Sequence, residues 1–278
     1  AETVTGLSSV SGMTRLAIGV EYDGAAYSGW QRQHHADSVQ AHLDKALGAI
    51  ARHSIDTVAA GRTDAGVHAC EQVVHFDTDV NRPDRAWVKG VNTHLPDNIG
   101  VRWIAYPGDD FDARRSATSR SYRYLLIDSP ERPVLLRDRV GWTFRALETV
   151  PMQQAAESLT GEHDFSSFRA SACQAHHPIR RVDALTVTRY RGVIMVDIRA
   201  NAFLHHMVRN IVGTLMAVGT GERPVEWVSD VLAARDRRRA GITAPAAGLY
   251  LVGVRYPLRF GLPGPPAGPV FAPAWGDG

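Results

Sequence analysis

The chain has 278 residues, enough for two domains of ordinary size or for one domain built from two similar halves. Its 44% hydrophobic and 8% aromatic content is that of a globular enzyme, and 31 basic against 29 acidic residues, net +2, argue against a highly basic protein that wraps nucleic acid. All of the basic residues except Lys45 and Lys89 are arginines, the cation best shaped for bidentate phosphate contact, so the small net charge leaves local phosphate-binding clusters open.

Residues 1–13 carry neither the basic nor the apolar stretch of a signal peptide and read as a flexible leader. The alternation over Arg15 to Tyr22 predicts a strand, ended by Asp23-Gly24. Asp37 or Ser38 caps the next helix, whose Val39, Leu43, Leu47 and Ile50 form one stripe. A short strand is expected over Ile55 to Ala60, a loop over Gly61 to Ala69, and a strand over Gln72 to Phe76. Pro83 starts a helix reaching about Thr93, followed by a strand from Ile99 to Tyr106. Further strands are expected at Arg120 to Ile127, Val140 to Phe144, Val182 to Arg189, Val193 to Arg199 and Leu249 to Tyr256. Helices are expected at Val150 to Leu159, Leu204 to about Val218 and Val225 to Ala234. Beyond Pro257 the Gly/Pro-rich composition predicts an extended or disordered tail.

Each half mixes several strands with two helices, and the strands are not separated by one helix each. The expected fold is therefore α+β: two similar halves with largely antiparallel, RRM- or ferredoxin-like sheets, flanked by helices and joined around a central active-site cleft. The halves are placed at 14–115 and 116–256, with the tail at 257–278. No glycine-rich phosphate loop of standard spacing is present, which weighs against a nucleotide cofactor. Cys70 and Cys173 are too few and too far apart for a zinc-site spacing or a disulfide framework, and point to a reducing, cytoplasmic compartment. The longest apolar run, Ile211 to Val218, is far short of a membrane span.

The stretch Gly61-Arg62-Thr63-Asp64-Ala65-Gly66-Val67-His68-Ala69 is the most informative. Its two glycines leave little side-chain bulk around Asp64, which has an arginine two residues before it and a histidine four after. Such a carboxylate suits a nucleophile, a general base or a metal ligand, and equally a turn aspartate capping its own loop amides. The pairs His34-His35, His176-His177 and His205-His206 invite a metal reading. Neighbours on a helix point about 100° apart, however, so His205 and His206 are not expected to share an ion, and no metal is expected.

AGRTDAGVHA, with GVEYDGAAYSGWQRQ upstream and FDARRSATSRSYRY, GEHDFSSFRAS and NAFLHHMVRNIVGTL downstream, resembles the tRNA pseudouridine synthase A family from about Arg15 to Tyr256. The resemblance implies an isomerase that converts uridine to pseudouridine at three neighbouring positions on the 3′ side of the tRNA anticodon stem-loop. It implies no metal or organic cofactor, and a homodimer with a tRNA touching both subunits. Asp64 matches the family's catalytic aspartate, and adds to C6 of uracil, attacks C1′ of the ribose or assists formation of a glycal. Arg62 matches an arginine that enters the RNA helix and holds the flipped nucleotide, an extrusion that costs a few kcal/mol of stacking and pairing. Tyr122 matches the tyrosine that packs on the target base. Tyr124, on the same face of the strand, is the weaker candidate for that role and suits the core. Arg209 matches an arginine placed against the carboxylate, and Leu249 an apolar residue of the pocket.

For RNA outside the pocket, local charge points to Arg114, Arg115, Arg120 and Arg123, and to Arg169, Arg180, Arg181, Arg189 and Arg191, as phosphate-contacting clusters. The family resemblance adds Arg82, Phe111, Asp112, Ala113, Arg114 and Arg115, and Ala172, Cys173, Gln174, Ala175 and His176, as tRNA contacts. Arg32 is a weaker RNA candidate.

Overall fold

The computed structural model describes residues 12–171, 173–266, 268–269 and 271–273. Ten strands form one sheet: β1 (Thr14–Tyr22), β2 (Val58–Ala59), β3 (His68–Thr78), β4 (Ile99–Ala105), β5 (Ser119–Asp128), β6 (Gly141–Thr143), β7 (Gly161–Asp164), β8 (Ile179–Tyr190), β9 (Val193–Ala200) and β10 (Leu249–Arg255). Their order is β4-β1-β3-β10-β5-β9-β8-β7, with β2 laid on β3 and β6 on β5. Pairing is antiparallel except for β10 with β3 and β5 with β6. The expected α+β, largely antiparallel class is what is found.

Among the described residues four α-helices accompany the sheet: α1 (Val39–Ala51), α2 (Thr149–Glu157), α3 (Met207–Gly219) and α4 (Trp227–Ala234). The stripe of Val39, Leu43 and Leu47 is wholly buried, as its spacing requires. Ser38 is the N-cap of α1, but its side chain makes no cap hydrogen bond. The helix expected from Pro83 to Thr93 is dominated by a π-helical turn, Ala86–Gly90, which sinks Trp87 into the core against Phe76. The strand expected over Ile55 to Ala60 is reduced to β2.

The last strand sets the architecture. β10 lies between β3 and β5, with Tyr250 beside His68 and Leu251 beside Ala69 on one side, and Leu251 beside Tyr122 on the other. The start of β3, which carries the aspartate loop, is thereby one strand away from β5, which carries Tyr122. Alternation along β5 puts Tyr122, Tyr124 and Leu126 in the main core with α1 and α3, and Leu125 in a smaller cluster with Met195, Tyr250 and Val252 on the opposite face. Much of the described tail is exposed, but several of its residues touch the body. Phe260 is buried against Phe111, Phe271 meets Tyr250 edge-on, and the Pro273 carbonyl accepts from Arg123.

On β3, Glu71 is buried with one bond among the described residues, from the Trp103 indole N–H to Oε2 at 3.1 Å, while Oε1 has no partner among them. Burial pushes its carboxyl from 4.5 up to about 7. The folded chain therefore holds a proton that the unfolded chain releases near pH 4.5. Stability is fully present below that value and falls as pH rises towards 7, by about 3 kcal/mol in all. Urea denaturation between pH 5 and 8 is expected to show this decline, and Glu71→Gln to remove it.

Candidate active site

The loop between β2 and β3 is clamped from several directions. Trp30 N–H donates to Thr63 O at 3.0 Å, Gly66 N–H to Tyr27 O at 3.3 Å, and Gln72 Nε2 to Gly61 O at 2.7 Å. Tyr22 Oη and Thr63 Oγ1 share a 2.7 Å bond. Gly29 has φ +101°, and a Cβ there would lie 2.7 Å from Thr63 O, so only glycine lets the two backbones meet. The YDGAAYSGW segment is thus a brace for the aspartate loop.

Held this way, Asp64 turns its carboxylate away from its own loop, whose one internal bond is from Val67 N–H to the Asp64 main-chain carbonyl. Among the described residues no loop amide bonds to the side chain, so the capping reading fails. The carboxylate instead faces the segment leading into α3. His205 Nε2 lies 3.2 Å from Oδ1, His206 Nε2 3.3 Å from Oδ2, and Arg209 Nη1 3.5 Å from Oδ2. Arg209 is fixed in turn by a 2.7 Å bond from Nε to Ala244 O, while Ala244 N–H donates to Arg209 O. A Cβ on Gly213, one turn along α3, would collide with the Ile242 carbonyl, so the helix holds this stretch at backbone contact.

The reading of Leu204 to Val218 as one helix needs correction. α3 begins at Met207, and His206 precedes it with φ +61°. The left-handed residue swings its ring back beside His205, with centroids 4.0 Å apart, so the two histidines converge on one carboxylate. The 100° separation that set them apart applies only within a helix. Burial, outweighing the neighbouring Asp64 carboxylate, lowers the His206 pKa.

Tyr122 lies on β5, 9% exposed, with its ring edge-on to Phe203 at 5.0 Å. Burial first, and the Asp64 charge second, push its phenol above the ordinary value. Tyr124 is fully buried and donates to Pro245 O at 2.8 Å, a core role. Leu249 is buried at the start of β10, opposite Tyr124. Arg62 is exposed beside Asp64 and makes no ion pair among the described residues.

Several arginines read as phosphate contacts are engaged inside the protein. Arg123 is buried on Asp197, and Arg120 donates to the carbonyls of Ala60, Arg114, Ala117 and Asn201. Arg169 holds Cys173 O and Ala175 O, Arg180 holds His177 O and Ile179 O, and Arg189 pairs with Asp128. Arg32 bridges Asp44 and Asp56. Arg114 and Arg115 are exposed above Asp112, whose Oδ1 accepts both of their amides. Phe111 and Ala113 are wholly buried, so their side chains offer no RNA surface. Arg82 is half-buried and reaches Ile50 O. Gln174 and His176 are exposed, Cys173 and Ala175 partly so, and Ala172 lies outside the described residues. Sequence reasoning missed His205, His206 and Phe203 as site residues; the signal was their place in NAFLHHMVRN, three to six residues before Arg209.

A family model described as tRNA pseudouridine synthase matches residues 18–114 and 155–257, and the chain belongs to that family. Relatives named tRNA pseudouridine synthase A are 55% identical over 251 residues in Hydrogenovibrio crunogenus, 55% over 257 in Shewanella denitrificans and 49% over 261 in Coxiella burnetii. These alignments cover 90%, 92% and 94% of this chain, and 96%, 98% and 100% of the relatives. Among solved structures, an H/ACA RNP bound to a substrate RNA is distantly similar, with TM-score 0.33 and 10% identity over 72% of this chain and 44% of that one.

Proposed function

We propose that the chain isomerises uridine to pseudouridine in the anticodon stem-loop of tRNA, with Asp64 as the catalytic carboxylate acting on a flipped-out nucleotide. The observation that carries this is the position of Asp64: turned out of a clamped loop and faced by Arg209 at 3.5 Å. In the reaction the C1′–N1 bond breaks, C1′ bonds to C5, C5 gives up its proton and N1 gains one. Addition to C6, attack on C1′ and glycal formation all use the same carboxylate. Arg209 balances its charge in a partly dry site, Tyr122 and Leu249 border the uracil, and Arg62 enters the space the nucleotide leaves.

The halves 14–115 and 116–256 close on this carboxylate, with 1–13 as leader and 257–278 as tail. The resemblance further supports a cytoplasmic homodimer without metal or organic cofactor. No helix among the described residues is long and apolar enough to cross a membrane. Exposed Arg114, Arg115, Gln174 and His176 are the side chains that support tRNA contact outside the pocket.

The test is to incubate purified chain with an unmodified tRNA transcript in EDTA and map pseudouridine. Its appearance in the anticodon stem-loop is expected, and an unmodified transcript overturns the reading. Arg62→Ala is expected to lose up to a few kcal/mol of support for the flipped state. That corresponds to about a hundredfold in single-turnover rate, with the fold intact because the side chain is exposed. Unchanged single-turnover kinetics would remove Arg62 from the site.

A further inference from the structure

The side chains around Asp64 offer more than a balanced carboxylate. One ring nitrogen each of His205 and His206 and an Asp64 oxygen all lie within 4.8 Å of one another, and among the described residues no other group of three His, Cys, Asp or Glu side chains converges in this way. Each imidazole stands at one oxygen of the same carboxylate, His205 Nε2 3.2 Å from Oδ1 and His206 Nε2 3.3 Å from Oδ2, so small side-chain rotations bring all three groups onto one ion with ligands at ~2.0 Å. Side-chain exposures of 24–39% leave a path for the ion and room for water at the remaining positions.

We propose that Asp64, His205 and His206 form a binding site for a divalent transition-metal ion of the Zn2+ type, and that the bound ion switches the enzyme off by occupying the carboxylate. The switching rests on the proposed catalytic role of Asp64; the binding does not. Two imidazoles and one carboxylate select Zn2+, Cu2+, Ni2+ or Co2+, and leave Mg2+, which prefers an all-oxygen shell, unbound. Arg209 faces the cluster at 3.5 Å from Asp64 Oδ2, and its charge holds the affinity below that of a structural zinc site. The ion and the flipped uridine need the same carboxylate oxygens, so each excludes the other.

Zn2+ affinity of the EDTA-stripped chain is measured by competition with a chromophoric chelator, and the ligand set by the visible spectrum of the Co2+ form. One ion per chain is expected. His205→Ala, His206→Ala and Asp64→Asn are each expected to weaken binding at least about tenfold, and His176→Ala in the second histidine pair to leave it unchanged. The three site positions are partly exposed, so folded variants are expected, checked by circular dichroism. Absence of saturable binding, or equal affinity in all three site variants, overturns the site. Turnover is expected to stop at Zn2+ saturation, return with EDTA and ignore Mg2+. Full turnover by a chain shown to carry its one ion overturns the switch, while the binding result is read separately.

Discussion

Asp64→Asn is expected to lower pseudouridine formation at least about a thousandfold, the scale of removing a catalytic nucleophile, while tRNA affinity stays within about threefold. The substitution keeps size and shape and removes only the charge. The loop should hold its conformation, because the bonds that fix it run through the Thr63, Gly61 and Gly66 backbone, and the Val67 bond is to the main-chain carbonyl of residue 64. Affinity should hold because phosphate contacts, which dominate nucleic-acid binding, do not run through a carboxylate. The variant also has a signature independent of activity. Asp64 raises the His206 pKa against burial, so removing its charge is expected to shift the His206 titration further down, readable by NMR. Mapping and quantifying pseudouridine in single-turnover reactions decides the main point. Wild-type-like turnover would remove Asp64 from catalysis.

The parts of this molecule legible in its sequence are those fixed by local periodicity. Strand β8 follows its alternation and α1 its apolar stripe, because each buries one face and leaves the other to water, whereas β1, β5 and β9 read as strands although their middles are buried on both faces. Two features depended on distant partners. The insertion of β10 between β3 and β5 joins residues more than 100 positions apart, and no local pattern encodes it. The start of α3 depended on one left-handed residue, His206, which a helical reading of HHMVRN passes over. The site divides the same way. The motifs name Asp64 and Arg209, which stand 3.5 Å apart across 145 positions of chain. The arginine clusters were judged from sequence neighbours alone, and their actual partners, Asp197, Asp128 and several backbone carbonyls, are supplied by other strands and loops. Local charge predicts a phosphate surface only where the fold leaves the guanidinium unengaged.

Arg123 is where that difference has its largest energetic consequence. It stands directly opposite Asp197 in the β5–β9 pairing, 1% exposed, with Nε and Nη2 donating to the two carboxylate oxygens at 2.7 and 2.8 Å. Burial pushes the Asp197 carboxyl up despite the arginine, so desolvation is the larger influence on it. Arg123→Met leaves that carboxylate buried without its cation and is expected to cost about 3–5 kcal/mol, a sizeable share of the 5–15 kcal/mol typical of folded proteins. The sign of the pH dependence follows. Without Arg123 the folded carboxyl keeps its proton to still higher pH than the unfolded one, so the variant loses stability as pH rises through that window. Its deficit is therefore expected to be larger at pH 8 than at pH 5. The double variant Arg123→Met/Asp197→Leu removes both charges and is expected to recover most of the loss. Urea denaturation of the wild type, Arg123→Met, Asp197→Leu and the double variant at both pH values measures the coupling, and tRNA affinity of the folded variants separates it from RNA binding. A stable Arg123→Met protein with weakened, less salt-dependent tRNA binding would return Arg123 to the phosphate surface; a destabilised one that binds normally when folded makes it a strut between β5 and β9.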